Sequence, residues 1–216
     1  MYTAFADHRA FGRNFKNGGV KTVSNHKNEM SVNVRKVIYA GALIALGLLL
    51  PQVFHVFGQG AGMIFLPIHI PILLAGAILG KFYGAAVGLI VPILSFALTN
   101  MPPIPMLWFM IFELVGYGLA MGLLAKRCNI YIALVISMLF GRIVYGIALG
   151  TGVILFGMNA LFMTRAGFIG SVVRGMPGMV IQLAIIPIIY LQLKNGGFLF
   201  DEETRGSKKD TRGTKS

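Results

Sequence analysis

The chain has 216 residues, of which 56% are hydrophobic and only 12% are charged. Because soluble domains carry about 25% charged residues, this composition excludes an ordinary soluble fold and predicts an integral membrane protein. The net charge of +12 does not indicate nucleic-acid binding, since seven Lys and Arg residues lie in residues 1–36 and six lie from Lys194 onward. Basic ends around an apolar body are typical of membrane proteins whose ends face the cytoplasm.

The N-terminal residues 1–33 contain no apolar run, so we expect a mobile basic arm and no cleavable signal peptide. Six later stretches approach the roughly 20 apolar residues of a membrane-spanning helix. They lie near Val37–Phe57, Ile64–Gly80, Phe82–Thr99, Pro105–Ala125, Ile130–Gly157 and Gly167–Leu193. Residues 34–195 are therefore predicted to form one membrane domain, and the polar residues 196–216 a disordered tail.

The basic residues between the spans predict the orientation. With the N-terminus inside, Lys81, Lys126 and Arg127 lie on the cytoplasmic side with both basic ends, whereas only Arg165 lies outside. Cytoplasmic loops of membrane proteins are enriched in Lys and Arg. The predicted fold class is thus all-α, a compact bundle of six transmembrane helices with both termini in the cytoplasm. Glycines recur within the spans, and small residues allow close helix packing in lipid.

Three charged side chains lie inside the predicted spans, namely Glu113, Arg142 and Arg174. Charged groups at this depth are costly and usually face the protein interior. At 1.5 Å per residue, Glu113 lies roughly 12 Å and Arg174 roughly 10 Å from the outer ends of their helices. One carboxylate cannot compensate two guanidinium groups, so one hypothesis is a site for a small acid. The alternatives are that Glu113 only neutralises an arginine, or that Arg174 extends to the membrane interface.

Two further polar residues are candidates for a ligand site. His69 lies between Pro67 and Pro71, which remove backbone donors from the second predicted helix. It is placed either to hydrogen-bond a ligand or to cap the freed carbonyls. Asn100 begins a turn that ends at Pro105 and is stiffened by three prolines. It either points into a pocket or belongs to a plain rigid connection.

Several motifs of catalysis and nucleotide binding are absent from the sequence. It has no G-x-x-x-x-G-K-[ST] phosphate loop, so the chain is not expected to bind ATP by that device. It also has no G-x-S-x-G or H-E-x-x-H motif and no Cys/His cluster with metal-ligand spacing. We therefore expect neither an enzyme nor a cofactor or metal site.

Four segments carry a resemblance to a known family. They are Leu66-Pro-Ile-His-Ile-Pro-Ile-Leu-Leu-Ala-Gly76, Lys81-Phe-Tyr-Gly84, Ser95-Phe-Ala-Leu-Thr-Asn-Met-Pro-Pro103 and Met110-Ile-Phe-Glu-Leu-Val-Gly-Tyr-Gly118, with Gly141-Arg142 later in the chain. Together they resemble the substrate-binding S component of energy-coupling factor (ECF) transporters. The resemblance extends roughly from Val34 to Leu193 and is most specific between Leu66 and Gly118.

The resemblance implies a transport subunit of an ABC-type importer in the bacterial plasma membrane. Such a subunit binds a vitamin or related micronutrient at the outer face, then joins a transmembrane coupling subunit and two cytoplasmic ATPases that use the ATP. The charge argument favours pantothenate or another small acid as cargo. The resemblance also admits folate, pyridoxine-like and corrinoid ligands.

Members of this family dock the coupling subunit through small residues on the first helix. Here the resemblance points to Gly41, Ala42 and Ala45, although ordinary packing within the bundle explains small residues equally well. The main alternative function is a stand-alone secondary transporter or small channel that uses Glu113 as a proton site.

Overall fold

The structure is a computed structural model that describes residues 33–54, 56, 58, 61–156 and 165–196. These ranges consist of helices and short connections and contain no strand. The predicted all-α character is therefore confirmed for them. The predicted basic arm and the predicted polar tail lie outside the described residues, apart from Asn33 and Gly196.

The helices follow the predicted spans closely at most of their ends. In chain order they are α1 (Asn33–Phe54), α2 (Ala61–Phe65), α3 (His69–Leu79), α4 (Lys81–Thr99), α5 (Met106–Leu124), α6 (Ile130–Phe156) and α7 (Arg165–Asn195). Five of them, α1 and α4 to α7, are long and apolar enough to cross a membrane. The chain is a multi-pass membrane protein by this measure. The number of six spans and the position of the termini stay predictions.

The second predicted span, near Ile64–Gly80, is divided in the structure. Helix α2 ends at Phe65 and α3 begins at His69, so α3 has only 11 residues. At 1.5 Å per residue α3 extends roughly 16 Å, about half of the 30 Å hydrocarbon core. Between the two helices, Leu66 has a φ of +49°, which turns the backbone into the left-handed region. Pro67 follows and lacks the N–H that a continuous helix would use.

Helix α7 holds this break in place. The buried side chain of Gln182 donates a hydrogen bond from Nε2 to the carbonyl of Leu66 at 3.3 Å. One turn earlier on α7, a Cβ atom added to Gly178 would lie only 2.6 Å from the carbonyl oxygen of Phe65. The end of α2 therefore rests directly on the backbone of α7.

Helix α5 is the centre of the bundle, because it packs against α3, α4 and α6. Its contact with α4 is a close backbone contact made possible by glycines. A Cβ atom on Gly118 would overlap the carbonyl of Gly84, and a Cβ atom on Gly88 would lie 2.5 Å from the carbonyl oxygen of Leu114. Close approach of this kind is how small residues hold helices together in lipid.

Helix α6 carries large apolar side chains on both its buried and its exposed face, as is typical of a membrane-spanning helix. One face is buried in the bundle and carries Leu134, Met138, Tyr145 and Leu149. The other face exposes large aliphatic side chains, which are Ile132, Leu139, Ile143 and Ile147. In a membrane this second face contacts lipid, so the exposed apolar surface of α6 is explained without a protein partner.

The chain divides into two compact units, Met1–Tyr39 and Ala40–Ser216. Of the first unit, the structure describes only the start of α1. The second unit contains helices α2 to α7 and every residue of the buried polar cluster described next.

Candidate functional site

A buried ion pair joins helices α5 and α6. Glu113 lies in the second turn of α5 and is only 4% exposed. Arg142 lies near the middle of α6, and its Nη1 is 3.1 Å from Glu113 Oε1. The Arg142 side chain is 12% exposed. The two charges thus compensate each other at a depth where either alone would be costly.

Tyr117 adds a hydrogen bond to the same carboxylate. It lies one turn after Glu113 on α5, and its hydroxyl donates to Glu113 Oε1 at 3.1 Å. Its ring packs against the backbone of α6 at Gly141, where an added Cβ atom would lie 2.7 Å from the ring. A side chain at residue 141 would therefore push the Tyr117 ring away from its place beside the ion pair.

His69 completes the cluster from α3, of which it is the first residue. Its Nε2 lies 3.8 Å from Glu113 Oε1, which is beyond hydrogen-bond distance, and its ring stands edge-on to Tyr117 with centroids 5.1 Å apart. Neither ring nitrogen has a hydrogen-bond partner among the described residues. One of its two predicted roles was to cap the carbonyls freed by the prolines. Within the described residues, the His69 side chain caps no carbonyl.

Several hydrogen-bonding groups of the cluster have no partner in the described part of the protein. Arg142 Nε and Nη2 are buried and have no hydrogen-bond partner there, as is also true of both His69 nitrogens. Buried polar groups in proteins are nearly always hydrogen-bonded, so each exception needs an explanation. Unfilled donors around an ion pair inside a membrane bundle are what a site for a polar ligand would present.

The other predicted site residues lie apart from this cluster in the structure. Arg174 is exposed on α7, and its Nη2 lies beside Gly170 of the same helix. Asn100 is exposed and ends α4 with a φ of +54°. No contact within the described ranges joins either residue to Glu113. Their roles in binding stay predictions.

The predicted docking residues Gly41, Ala42 and Ala45 are exposed on α1. A Cβ atom added to Gly41 would meet no atom within 4 Å, so the surface of α1 at Gly41 is open in the described structure. Across the described residues, no three His, Cys, Asp or Glu side chains are grouped to hold a metal ion.

Two members of the site were missed by the sequence reasoning. The spacing of Tyr117 could have indicated its role, because it follows Glu113 by four residues and residues four apart on a helix are neighbours. Gly175 had no such signal. It faces Arg142 from α7, and an added Cβ atom there would lie 3.0 Å from Nη2. Only the packing of α7 against α6 brings these two residues together.

The chain matches a known protein family. Residues 35–190 match the family model described as ECF transporter, substrate-specific component. The matched segment covers well over half of the chain and contains all four residues of the cluster. No curated protein and no solved structure gives a significant match. On the strength of the family match, the chain belongs to the substrate-specific components of ECF transporters, a family of multi-pass membrane proteins that bind substrate and are not themselves the ATPases.

Proposed function

We propose that this chain captures a vitamin or related micronutrient for an ECF importer in the bacterial plasma membrane. The observation that carries the proposal is the family match over residues 35–190. The five long apolar helices support a membrane location. Pantothenate or another small acid is the first candidate for the cargo, and folate, pyridoxine-like and corrinoid molecules are the alternatives.

The cargo site that we propose is the cluster of His69, Glu113, Tyr117 and Arg142. Ionisable groups inside a membrane protein are costly and mark functional sites by default. Here an ion pair, a tyrosine hydroxyl and a histidine come from three helices, and several of their donors have no partner within the described structure. The combination supports a polar ligand held between α3, α5 and α6.

Partner subunits supply the energy in this proposal. A transmembrane coupling subunit and two cytoplasmic ATPases, which use ATP, assemble with this chain, and the chain itself needs no cofactor. The exposed small residues Gly41, Ala42 and Ala45 are our candidates for docking the coupling subunit. Small residues allow a partner helix to approach closely in lipid.

Co-purification from native membranes tests this assembly. We expect the affinity-tagged chain to capture one membrane subunit and two ATPases, and Ala45→Leu to reduce that capture because the leucine keeps a partner helix away. The matched control is Ala97→Leu, which changes an exposed alanine on α4 and leaves capture unchanged. Substrate transport by the purified chain alone in liposomes would instead establish a stand-alone transporter and contradict the proposal.

A further inference from the structure

The guanidinium group of Arg142 has two edges with different surroundings. Nη1 lies against the Glu113 carboxylate at 3.1 Å. Nε and Nη2 form the other edge, and both are buried without a hydrogen-bond partner among the residues that the structure describes. The protein's own carboxylate therefore engages one corner of the guanidinium and leaves the adjacent Nε–H and Nη2–H pair unused.

This unused edge has the geometry of a carboxylate receptor. The Nε–H and Nη2–H bonds of an arginine point in parallel and are spaced to meet the two oxygens of one carboxylate. From this geometry we propose that the substrate of this chain carries a carboxylate, and that the Nε and Nη2 edge of Arg142 binds it bidentately. The inference rests on the proposed substrate-binding function and names the chemical class of its cargo.

The neighbours of Arg142 hold this edge in a fixed position. Glu113 anchors Nη1, and the Tyr117 hydroxyl in turn donates to Glu113 Oε1 at 3.1 Å. A guanidinium fixed at one corner loses less conformational freedom when a ligand binds the opposite edge. Glu113 and Tyr117 are thus positioning residues for the bidentate contact, while Arg142 is the residue that touches the ligand.

The charge of the cluster selects among anions. Glu113 already compensates the positive charge of Arg142, so the pair offers little net charge to an incoming group. A dianionic phosphate ester would leave two uncompensated charges at a buried site, whereas a carboxylate leaves one. His69 lies beside the pair, with Nε2 3.8 Å from Glu113 Oε1. Its side chain is 4% exposed, and neither ring nitrogen has a hydrogen-bond partner in the described structure, so His69 offers the ligand a further polar contact. At this edge a carboxylate group therefore fits better than a phosphate ester.

Helix α7 lies against this edge at a glycine. A Cβ atom at Gly175 would lie 3.0 Å from Arg142 Nη2 and 2.9 Å from Leu66 Cδ1. Alanine at this position crowds the guanidinium but favours the helix, since glycine is the poorer helix former. Gly175→Ala thus disturbs the binding edge without removing either charge of the ion pair.

The first part of the test compares chemically matched probes on the purified full-length chain in detergent. The probes are pantothenate, folate, pantothenol (pantothenate with an alcohol in place of the carboxylate), pyridoxine, pyridoxal phosphate and cyanocobalamin. We expect pantothenate or folate to bind most tightly. If pantothenate is the tightest ligand, pantothenol should bind at least about tenfold more weakly, because it cannot make the charge-assisted contact. Tightest binding of pyridoxine, pyridoxal phosphate or cyanocobalamin would overturn the carboxylate assignment and leave the substrate-binding function standing.

The second part uses variants with the tightest-binding acid of that panel. Arg142→Lys keeps the positive charge beside Glu113 but lacks the fork, and we expect it to weaken binding at least about tenfold. Gly175→Ala should also weaken binding, while Gly150→Ala on α6, whose Cβ meets no atom within 4 Å, should not. Wild-type affinity in both Arg142→Lys and Gly175→Ala would overturn the assignment. If none of the probes binds, the carboxylate assignment is also overturned. If the chain in addition captures no partner subunits, the proposed function is overturned too.

Discussion

At the scale of single residues, the Glu113 carboxylate organises the polar interior. Its Oε1 receives the Tyr117 hydroxyl and the Arg142 guanidinium, each at 3.1 Å. Removing either member of a buried ion pair leaves the other charge uncompensated and typically destabilises a protein by about 3–5 kcal/mol. Substitutions of Glu113 or Arg142 are therefore expected to destabilise the fold, and a milder change is needed to probe the network itself.

Tyr117→Phe is that milder change. It removes the hydroxyl that donates to Glu113 but keeps the ring between Gly141 and His69. We expect a loss of about 1.5–3 kcal/mol, the usual contribution of a hydrogen bond to a charged group. Thermal unfolding of the purified protein in detergent measures it. The control is Tyr131→Phe, at a tyrosine that is 51% exposed on α6, and equal shifts in the two variants would contradict the assigned role of the hydroxyl.

The sequence identified the charged residues of this site but not their partners. The sequence marks Glu113 and Arg142 as candidates because a charge is costly to place in a membrane, and His69 because Pro67 and Pro71 disturb the backbone around it. Counting residues along a helix gives the depth of a side chain in the bilayer but not the neighbour that it faces. Arg142 and Arg174 were therefore equivalent partners for Glu113 in the sequence, and only the packed bundle shows that Arg142 forms the pair.

At the scale of helices, the crossing of α4 and α5 depends on glycine at the contact. Gly118→Ala places a methyl group against the carbonyl of Gly84, and the two backbones have no flexible side chain that can yield. We expect a destabilisation of about 1–3 kcal/mol or more from overpacking. The apparent unfolding temperature and the size-exclusion profile in detergent measure the effect.

Gly150→Ala provides the control for this crossing. Its Cβ meets open space, and alanine in a helix interior is more stable than glycine by about 0.5–1 kcal/mol. This variant should unfold at the same or a slightly higher temperature. A similar loss in both variants would show that the glycines matter for a reason other than the close crossing.

The ends of a helix could be predicted from the sequence where the composition changes sharply. They could not be predicted where tertiary contacts determine the position of the end. The predicted fifth span, Ile130–Gly157, differs by one residue from α6, since polar residues flank it. The break before α3 was indicated by Pro67 but not located. Its position depends on the left-handed Leu66 and on the hydrogen bond from Gln182, 116 residues later in the chain. No local pattern contains that information.

At the scale of the whole molecule, the predicted orientation is open to a direct test with the single cysteine. Cys128 is exposed between α5 and α6, beside Lys126 and Arg127, on the side predicted to be cytoplasmic. We expect a membrane-impermeant maleimide to leave it unlabelled in intact cells and to label it after the membrane is permeabilised.

A second cysteine position gives the opposite expectation. In a Cys128→Ser background, Asn100→Cys places an exposed thiol between α4 and α5, at the end of α5 away from Cys128. This thiol should react in intact cells. Labelling of Cys128 from outside, or protection of the new cysteine, would reverse the predicted topology.

The burial of the Arg142 edge also has a consequence for rates. Because Nε and Nη2 are shielded from solvent and Gly175 of α7 lies against Nη2, a ligand reaches them only after the packing around this edge opens. Binding that needs such a movement is slower than diffusional encounter, and its observed rate levels off at high ligand concentration. The same barrier slows escape. A subunit built this way would hold its ligand for a long residence time, and the departure of the ligand would be timed by the opening of the packing around Arg142.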